Sequence, residues 1–206
     1  MLQKRVIPCL LLHKGGLYKT EKFKKPTYIG DPINAIKIFN EKEVDELIFL
    51  DIGASVENKE PNYRMIEDIA SECFMPLCYG GGDKTIEQMK NIYAIGVEKI
   101  SISSQAVINP SLLIEASNMF GNQSVVVTID IKKDFWGEKK VFINSGKKNT
   151  KLNPMDFIKQ IETLGAGEIV INSVDNDGVM RGYDVKLLRD IKAITKIPII
   201  ALGGAG

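Results

Sequence analysis

Apolar residues fall along this chain in two alternating patterns. In the first, Ile, Val and Leu crowd into short, nearly continuous runs: Arg5–Leu12, Glu46–Asp51, Met75–Tyr79, Lys99–Ser103, Ser124–Asp130, Glu168–Asn172 and Ile197–Leu202. Runs of this kind predict parallel strands buried on both faces. In the second, apolar positions return every three or four residues. Asn62–Phe74 places Met65, Ile66, Ile69, Ala70 and Cys73 on one face, and Ser111–Phe120 and Asp156–Leu164 repeat the pattern. These segments predict amphipathic helices. Helix starts are marked by Asp31-Pro32, Asp83 ahead of Thr85, Asn109-Pro110 and Asn153-Pro154. A short polar side chain there caps the first free N–H groups, and proline fits the first turn. Strand–helix alternation on this rhythm means βαβ units.

Seven strands at this spacing suit a (β/α)8 TIM barrel better than a doubly wound sheet. A faint internal repeat agrees. Glu46-Leu47-Ile48 and Glu168-Ile169-Val170 open two strands 122 residues apart, and Gly81-Gly82 and Gly203-Gly204 follow two others at the same offset. Two half-barrels would produce this, the alternative being chance likeness among buried strands. The expectation is one α/β barrel domain over residues 1–206, built of two half-barrel repeats. The pattern lacks an eighth βα unit: roughly 250 residues is usual for such a barrel, and these 206 stop at Gly206, just past the seventh strand. Strands one and seven would then have open edges, so an incomplete record of a longer barrel is expected.

Composition narrows the class. Basic and acidic residues balance at 27 against 26, which speaks against nucleic-acid binding by broad electrostatics. No apolar run approaches the roughly 18–20 residues that span a bilayer, and the apolar start has no small-residue cleavage site. The three cysteines, Cys9, Cys73 and Cys78, sit in apolar surroundings, which fits a reducing cytoplasm better than a disulfide framework. His13 is the only histidine, and no Cys/His spacing resembles a zinc site. No metal or cofactor is expected.

In a barrel of this kind the chemistry sits at the carboxyl ends of the strands. Asp51, Gly80-Gly81-Gly82, Ser103-Ser104, Asp130, Asp175–Gly178 and Gly203-Gly204 all fall there. Glycine clusters let backbone N–H groups approach an anion, and a following helix N-terminus adds its dipole. Two of them would suit a substrate with a phosphate at each end, although tight turns use Gly-Gly pairs too. Asp130 closes an apolar strand and could act as general acid or base, its pKa raised by partial burial. A helix cap or a partner for Lys132 or Lys133 is the alternative. The segment Lys14–Gly30 carries Lys14, Lys19, Lys22, Lys24 and Lys25 and reads as a long loop, either a cationic lid over an anionic substrate or a solvated loop without consequence. Lys132–Thr150 reads as a small hairpin inserted after strand five. At the amino ends of the strands, Arg5, Glu46, Lys99 and Glu168 would form a ring of alternating charge on the barrel floor, by default a matter of stability.

These stretches resemble the HisF family, the cyclase subunit of imidazole glycerol phosphate synthase. The likeness is carried by Lys4–Leu10, Gly30-Asp31-Pro32, Asp45–Ile52, Gly80–Gly82, Ser124–Asp130, Ser145–Thr150, Gly165–Ile169, Asp175–Gly178 with Gly182-Tyr183-Asp184, and Pro198–Gly206. The resemblance implies a HisH-type glutaminase docked at the barrel floor, with ammonia passing along the axis to a phosphate-bearing substrate. On that basis Arg5, Glu46, Lys99 and Glu168 become an ammonia gate. Asp130 becomes the acid–base residue, Lys19 an anion contact, and Gly82, Ser104, Asp177, Gly178 and Gly204 substrate or phosphate contacts. The family's other aspartate, at the end of strand one, is Leu11 here, and an Asn-Thr phosphate pair after strand four is Ser103-Ser104.

A leucine cannot transfer a proton. Pro8–Leu11, Tyr28–Ala35, Met75–Gly82 and Ile169–Ser173 are similar to the WbuZ-type HisF-like branch of surface-polysaccharide, including lipopolysaccharide, biosynthesis. That resemblance implies ammonia delivery for sugar amidination, acting on a phosphorylated small molecule or nucleotide-sugar. The alternatives are an authentic histidine-pathway cyclase that tolerates Leu11, a scaffold that conducts ammonia and activates the glutaminase without chemistry of its own, and a barrel binding any sugar phosphate.

Overall fold

The computed structural model describes residues 4–54, 57 and 59–205. Gly206, the last residue of the expected glycine-rich closing stretch, lies outside the described residues. The chain divides into two compact units, the first formed by residues up to Lys19 with Thr27–Ser101, the second by Thr20–Pro26 with Ile102 onward.

The first unit is built from β1 (Cys9–His13), β2 (Gly16–Glu21), β3 (Lys24–Gly30), α1 (Pro32–Glu41), β4 (Leu47–Asp51), α2 (Tyr63–Glu72), β5 (Leu77–Gly80), α3 (Ile86–Ala94) and β6 (Lys99–Ile102). Strands β1, β4, β5 and β6 run parallel in that order, and β2 pairs antiparallel to β1. Leu47, Ile48, Phe49 and Cys78 are completely or almost completely buried. A strand covered on both faces has no need of alternation, which is why the apolar runs are continuous.

The second unit contains α4 (Ser104–Ile108), α5 (Ser111–Phe120), β7 (Val125–Lys133), β8 (Lys139–Ile143), β9 (Lys148–Asn149), α6 (Pro154–Thr163), β10 (Glu168–Ser173), α7 (Val185–Lys192) and β11 (Ile199–Leu202). Here β7, β10 and β11 are parallel, while β8 folds back antiparallel on β7 and β9 on β8. The inserted hairpin read from Lys132–Thr150 is therefore present. Val126, Val127, Ile169 and Val170 form the buried centre of the sheet.

The α/β class with parallel half-barrel repeats is what the sequence led to expect, and the pairing register gives the repeat physical content. In the first unit Leu47, Ile48, Phe49 and Leu50 lie opposite Leu77, Cys78, Tyr79 and Gly80. In the second, Ile169, Val170, Ile171 and Asn172 lie opposite Ile199, Ile200, Ala201 and Leu202. Every one of these pairs maps onto the other at the 122-residue offset without a slip. Register is strongly specified in buried strands, because a one-residue shift turns every side chain to the wrong face.

Several sequence expectations need correction. Lys14–Gly30 is not a long loop: it folds as β2 and β3, entered by a turn at Lys14-Gly15 where φ is positive at both residues. Strand β1 starts at Cys9, so Arg5 stands ahead of the strand rather than in it. Asp83 does not cap the third helix; Thr85 does, its hydroxyl accepting the Gln88 N–H at 3.2 Å. Asn109-Pro110 supplies no side-chain cap to α5. Asp31 and Asn153 do cap their helices, Asp31 accepting from Ile33 and Asn34 and Asn153 from Met155.

Candidate functional site

Asp130 is a buried polar residue of the second unit. It lies within β7, opposite Asn172 of β10, and only 8% of it is exposed. Asn172 Nδ2 donates to its Oδ1 at 3.1 Å. Loss of water around the carboxyl pushes its pKa up to about 7; the nearby charge of Asp177 adds to the rise and the Asn172 bond opposes it. A carboxyl poised there can give or take a proton at neutral pH. Neither a helix cap nor an ion pair to Lys132 or Lys133 describes it.

Around Asp177 the hairpin tip Thr20–Pro26, which belongs to this unit, is tied down. Thr20 Oγ1 donates to Asp177 Oδ2 at 2.8 Å, the Phe23 N–H reaches the same oxygen at 3.4 Å, and the Lys22 N–H donates to the Asp177 carbonyl at 2.9 Å. Burial raises the Asp177 carboxyl above its ordinary range, against the pull of the Thr20 and Phe23 bonds. Gly178 has a φ of +69°, and a Cβ there would stand 2.1 Å from the Thr20 carbonyl oxygen. No other residue fits between this turn and the tip. Ser104 Oγ accepts the Asn144 N–H at 3.1 Å, which holds the end of β8 to the start of α4. Gly203 and Gly204 follow β11 with positive φ, and the Gly204 carbonyl accepts the Gly182 N–H at 2.8 Å.

In the first unit, Asp51 closes β4 and its Oδ1 accepts the N–H groups of Gly53 and Ala54 at 2.9 and 3.0 Å. Gly81 and Gly82 follow β5, both with positive φ. The Gly81 N–H donates to Asp83 Oδ1 at 2.8 Å. Asp83 is 5% exposed, its Oδ2 has no hydrogen-bond partner among the described residues, and burial lifts its pKa to about 7. Lys19 is an exposed residue on β2.

At the amino ends, Glu46 is 2% exposed and collects two cations: Arg5 Nη1 at 2.9 Å, and Lys99 Nζ at 2.9 and 2.8 Å from its two oxygens. Glu168 is its counterpart at the 122-residue offset and is equally buried at 4% in the second unit. Three of the four expected floor residues are thus brought together in one unit, and the fourth holds the equivalent place in the other.

Sequence reasoning passed over Asn172 as a partner of Asp130, and over Asp83 except as a cap. Both carried a signal. Asn172 is the first polar residue after an Ile-Val-Ile run, and Asp83 follows three glycines directly. Among the described residues no group of three or more His, Cys, Asp and Glu is placed to hold a metal, and no helix is long and apolar enough to cross a membrane.

The chain matches the histidine biosynthesis protein family over residues 5–206. It is 53% identical, over all of its own length and 82% of the relative's, to a Pseudomonas aeruginosa protein bearing the provisional name imidazole glycerol phosphate synthase subunit hisF2. A Vibrio vulnificus protein named with the same reservation as subunit hisF3 is also 53% identical, over all of this chain and 80% of that one. Imidazole glycerol phosphate synthase subunit HisF of Natranaerobius thermophilus is 42% identical over all of this chain and 82% of its own.

Proposed function

The chain belongs to the HisF family of imidazole glycerol phosphate synthase subunits, and from that premise we propose that it is an ammonia-using subunit acting with a HisH-type glutaminase on a phosphate-bearing substrate other than that of the histidine pathway. Sugar amidination in surface-polysaccharide assembly is the favoured role. Asp130 is the acid–base residue. Arg5, Glu46 and Lys99 pass ammonia at the first unit's floor, and Glu168 serves in the same way in its own unit. Ser104, Asp177, Gly178 and Gly204 contact substrate in the second unit, and Lys19 and Gly82 do so in the first.

The observation that carries this reading is a register comparison. Asp130 lies opposite Asn172 on β10, and Leu11 lies opposite Leu50 on β4. Leu50 and Asn172 are equivalent at the 122-residue offset, so Leu11 is the internal counterpart of Asp130. One half keeps a carboxyl at this position and the other has an alkyl group, which can neither donate nor accept a proton. Cyclisation that relies on two carboxylates is left with one. The identities agree: relatives with provisional names stand at 52–53%, whereas those named HisF without reservation stand at 39–42%.

Ammonia-dependent formation of imidazole glycerol phosphate tests the proposal. The expected result is turnover ~100-fold or more below that of a Leu11→Asp variant, the usual scale for one acid–base group. Robust wild-type turnover would assign the chain to the histidine pathway. The scaffold alternative is met by Asp130→Asn in the reconstituted glutaminase complex: unaffected product formation would strip Asp130 of its role.

A further inference from the structure

The two glycine turns are equivalent in sequence position but not in electrostatics. Gly81, Gly82 and Asp83 after β5 map at the 122-residue offset onto Gly203, Gly204 and Ala205 after β11. In the first unit a carboxylate occupies the turn: Asp83 Oδ1 accepts the Gly81 N–H at 2.8 Å, with the side chain 5% exposed. In the second unit the matching residue is alanine, which has no group to accept the corresponding N–H.

We propose that Asp83 is a built-in anion that closes the β5 glycine turn to phosphate, while the equivalent β11 turn, with alanine in that place, stays open to one. The inference rests on the phosphate-bearing reading given above and narrows it to one open glycine turn.

The argument is one of charge and room. An N–H cradle binds phosphate because its donors are unspent and its field is positive. At the β5 turn a donor is already spent on a carboxylate, and a second anion would meet the first in a place with little water to screen either. Asp83 Oδ2 is buried without a hydrogen-bond partner among the described residues, so no donor there offsets its charge. The carboxyl is ionised at pH 8, above the value near 7 to which burial lifts it.

The test is a titration of the full chain with inorganic phosphate at pH 8, following the backbone amide resonances of Gly81, Gly82, Gly203 and Gly204. In the wild-type protein Gly203 and Gly204 are expected to shift with saturation while Gly81 and Gly82 stay still. In Asp83→Ala, which copies the Ala205 turn, Gly81 and Gly82 are expected to respond as well. Asp83→Asn removes the charge with the shape kept and serves if the alanine variant does not fold. Saturable shifts at both turns of the wild-type protein, or no gain in a folded Asp83 variant, would overturn the inference. Shifts at neither turn of the wild-type protein or the variant would sink the phosphate-bearing reading beneath it.

Discussion

At the level of single residues, burial decides which charged groups matter. Glu46 is 2% exposed and holds both Arg5 and Lys99. Removing that acid takes from both cations the carboxylate they share, and breaking a buried pair from one side costs more than the Coulomb energy of the pair. The Lys99 side chain is 18% exposed and that of Arg5 37%, so most of the cost comes through Lys99. Glu46→Ala is expected to destabilise the protein by about 3 kcal/mol, the lower end for breaking a buried pair, in urea unfolding, and Arg5→Ala by less than ~1 kcal/mol. Equal losses would mean that burial does not govern the cluster. Glu46 and Lys99 stood out in the sequence because each sits next to an apolar run, where a charge needs a partner. The Asn172 bond to Asp130 was not legible, since it depends on which two strands become neighbours.

Elements were legible in proportion to their burial. The parallel strands declared themselves because both faces are covered, and their ends were misplaced by only a few residues. The hairpin β2–β3 did not, because most of β3 is exposed and rich in lysine, so nothing in its composition separates a strand from a solvated loop. What fixes it is local and tertiary: the turn at Lys14-Gly15, positive φ at Lys22 and Phe23, and the hold of Asp177 on the tip. This makes Gly178→Ala informative. The new methyl group would lie 2.1 Å from the Thr20 carbonyl oxygen on a backbone with φ of +69°, so the tip must move away. A loss of about 1–3 kcal/mol and raised hydrogen exchange at Lys22 and Phe23 are expected. Unchanged protection of those amides would show that the tip is held by other means. Helix α1 offers a simpler case: Asp31→Ala removes the acceptor for the Ile33 and Asn34 N–H groups and should cost ~1 kcal/mol in urea unfolding.

On the scale of the whole molecule, each half carries one deeply buried carboxyl in a place where the other half has none. Asp130 answers to Leu11, and Asp83 answers to Ala205. Both acids are lifted from 3.8 to about 7, in each case chiefly by burial. A carboxyl whose folded-state pKa lies above its unfolded value binds its proton more tightly when folded. Its contribution to stability is therefore complete below pH ~4 and is lost as pH climbs through 7. Each group can steepen that decline by up to about 1.4 kcal/mol per pH unit. Asp177 is shifted in the same direction, whereas Asp184, paired with Lys139, is shifted in the opposite one. The wild-type protein is expected to be measurably less stable at pH 8 than at pH 5 in urea unfolding. Asp83→Asn and Asp130→Asn should each flatten the dependence, and together they should remove most of it. If the double variant kept the wild-type slope, the two carboxyls would be ionised at little cost, and the strain assigned to them would have to reside elsewhere. A flattened slope would identify two sites where the fold holds an acid against its own stability. Natural sequences accept such a conflict chiefly where chemistry or recognition requires it.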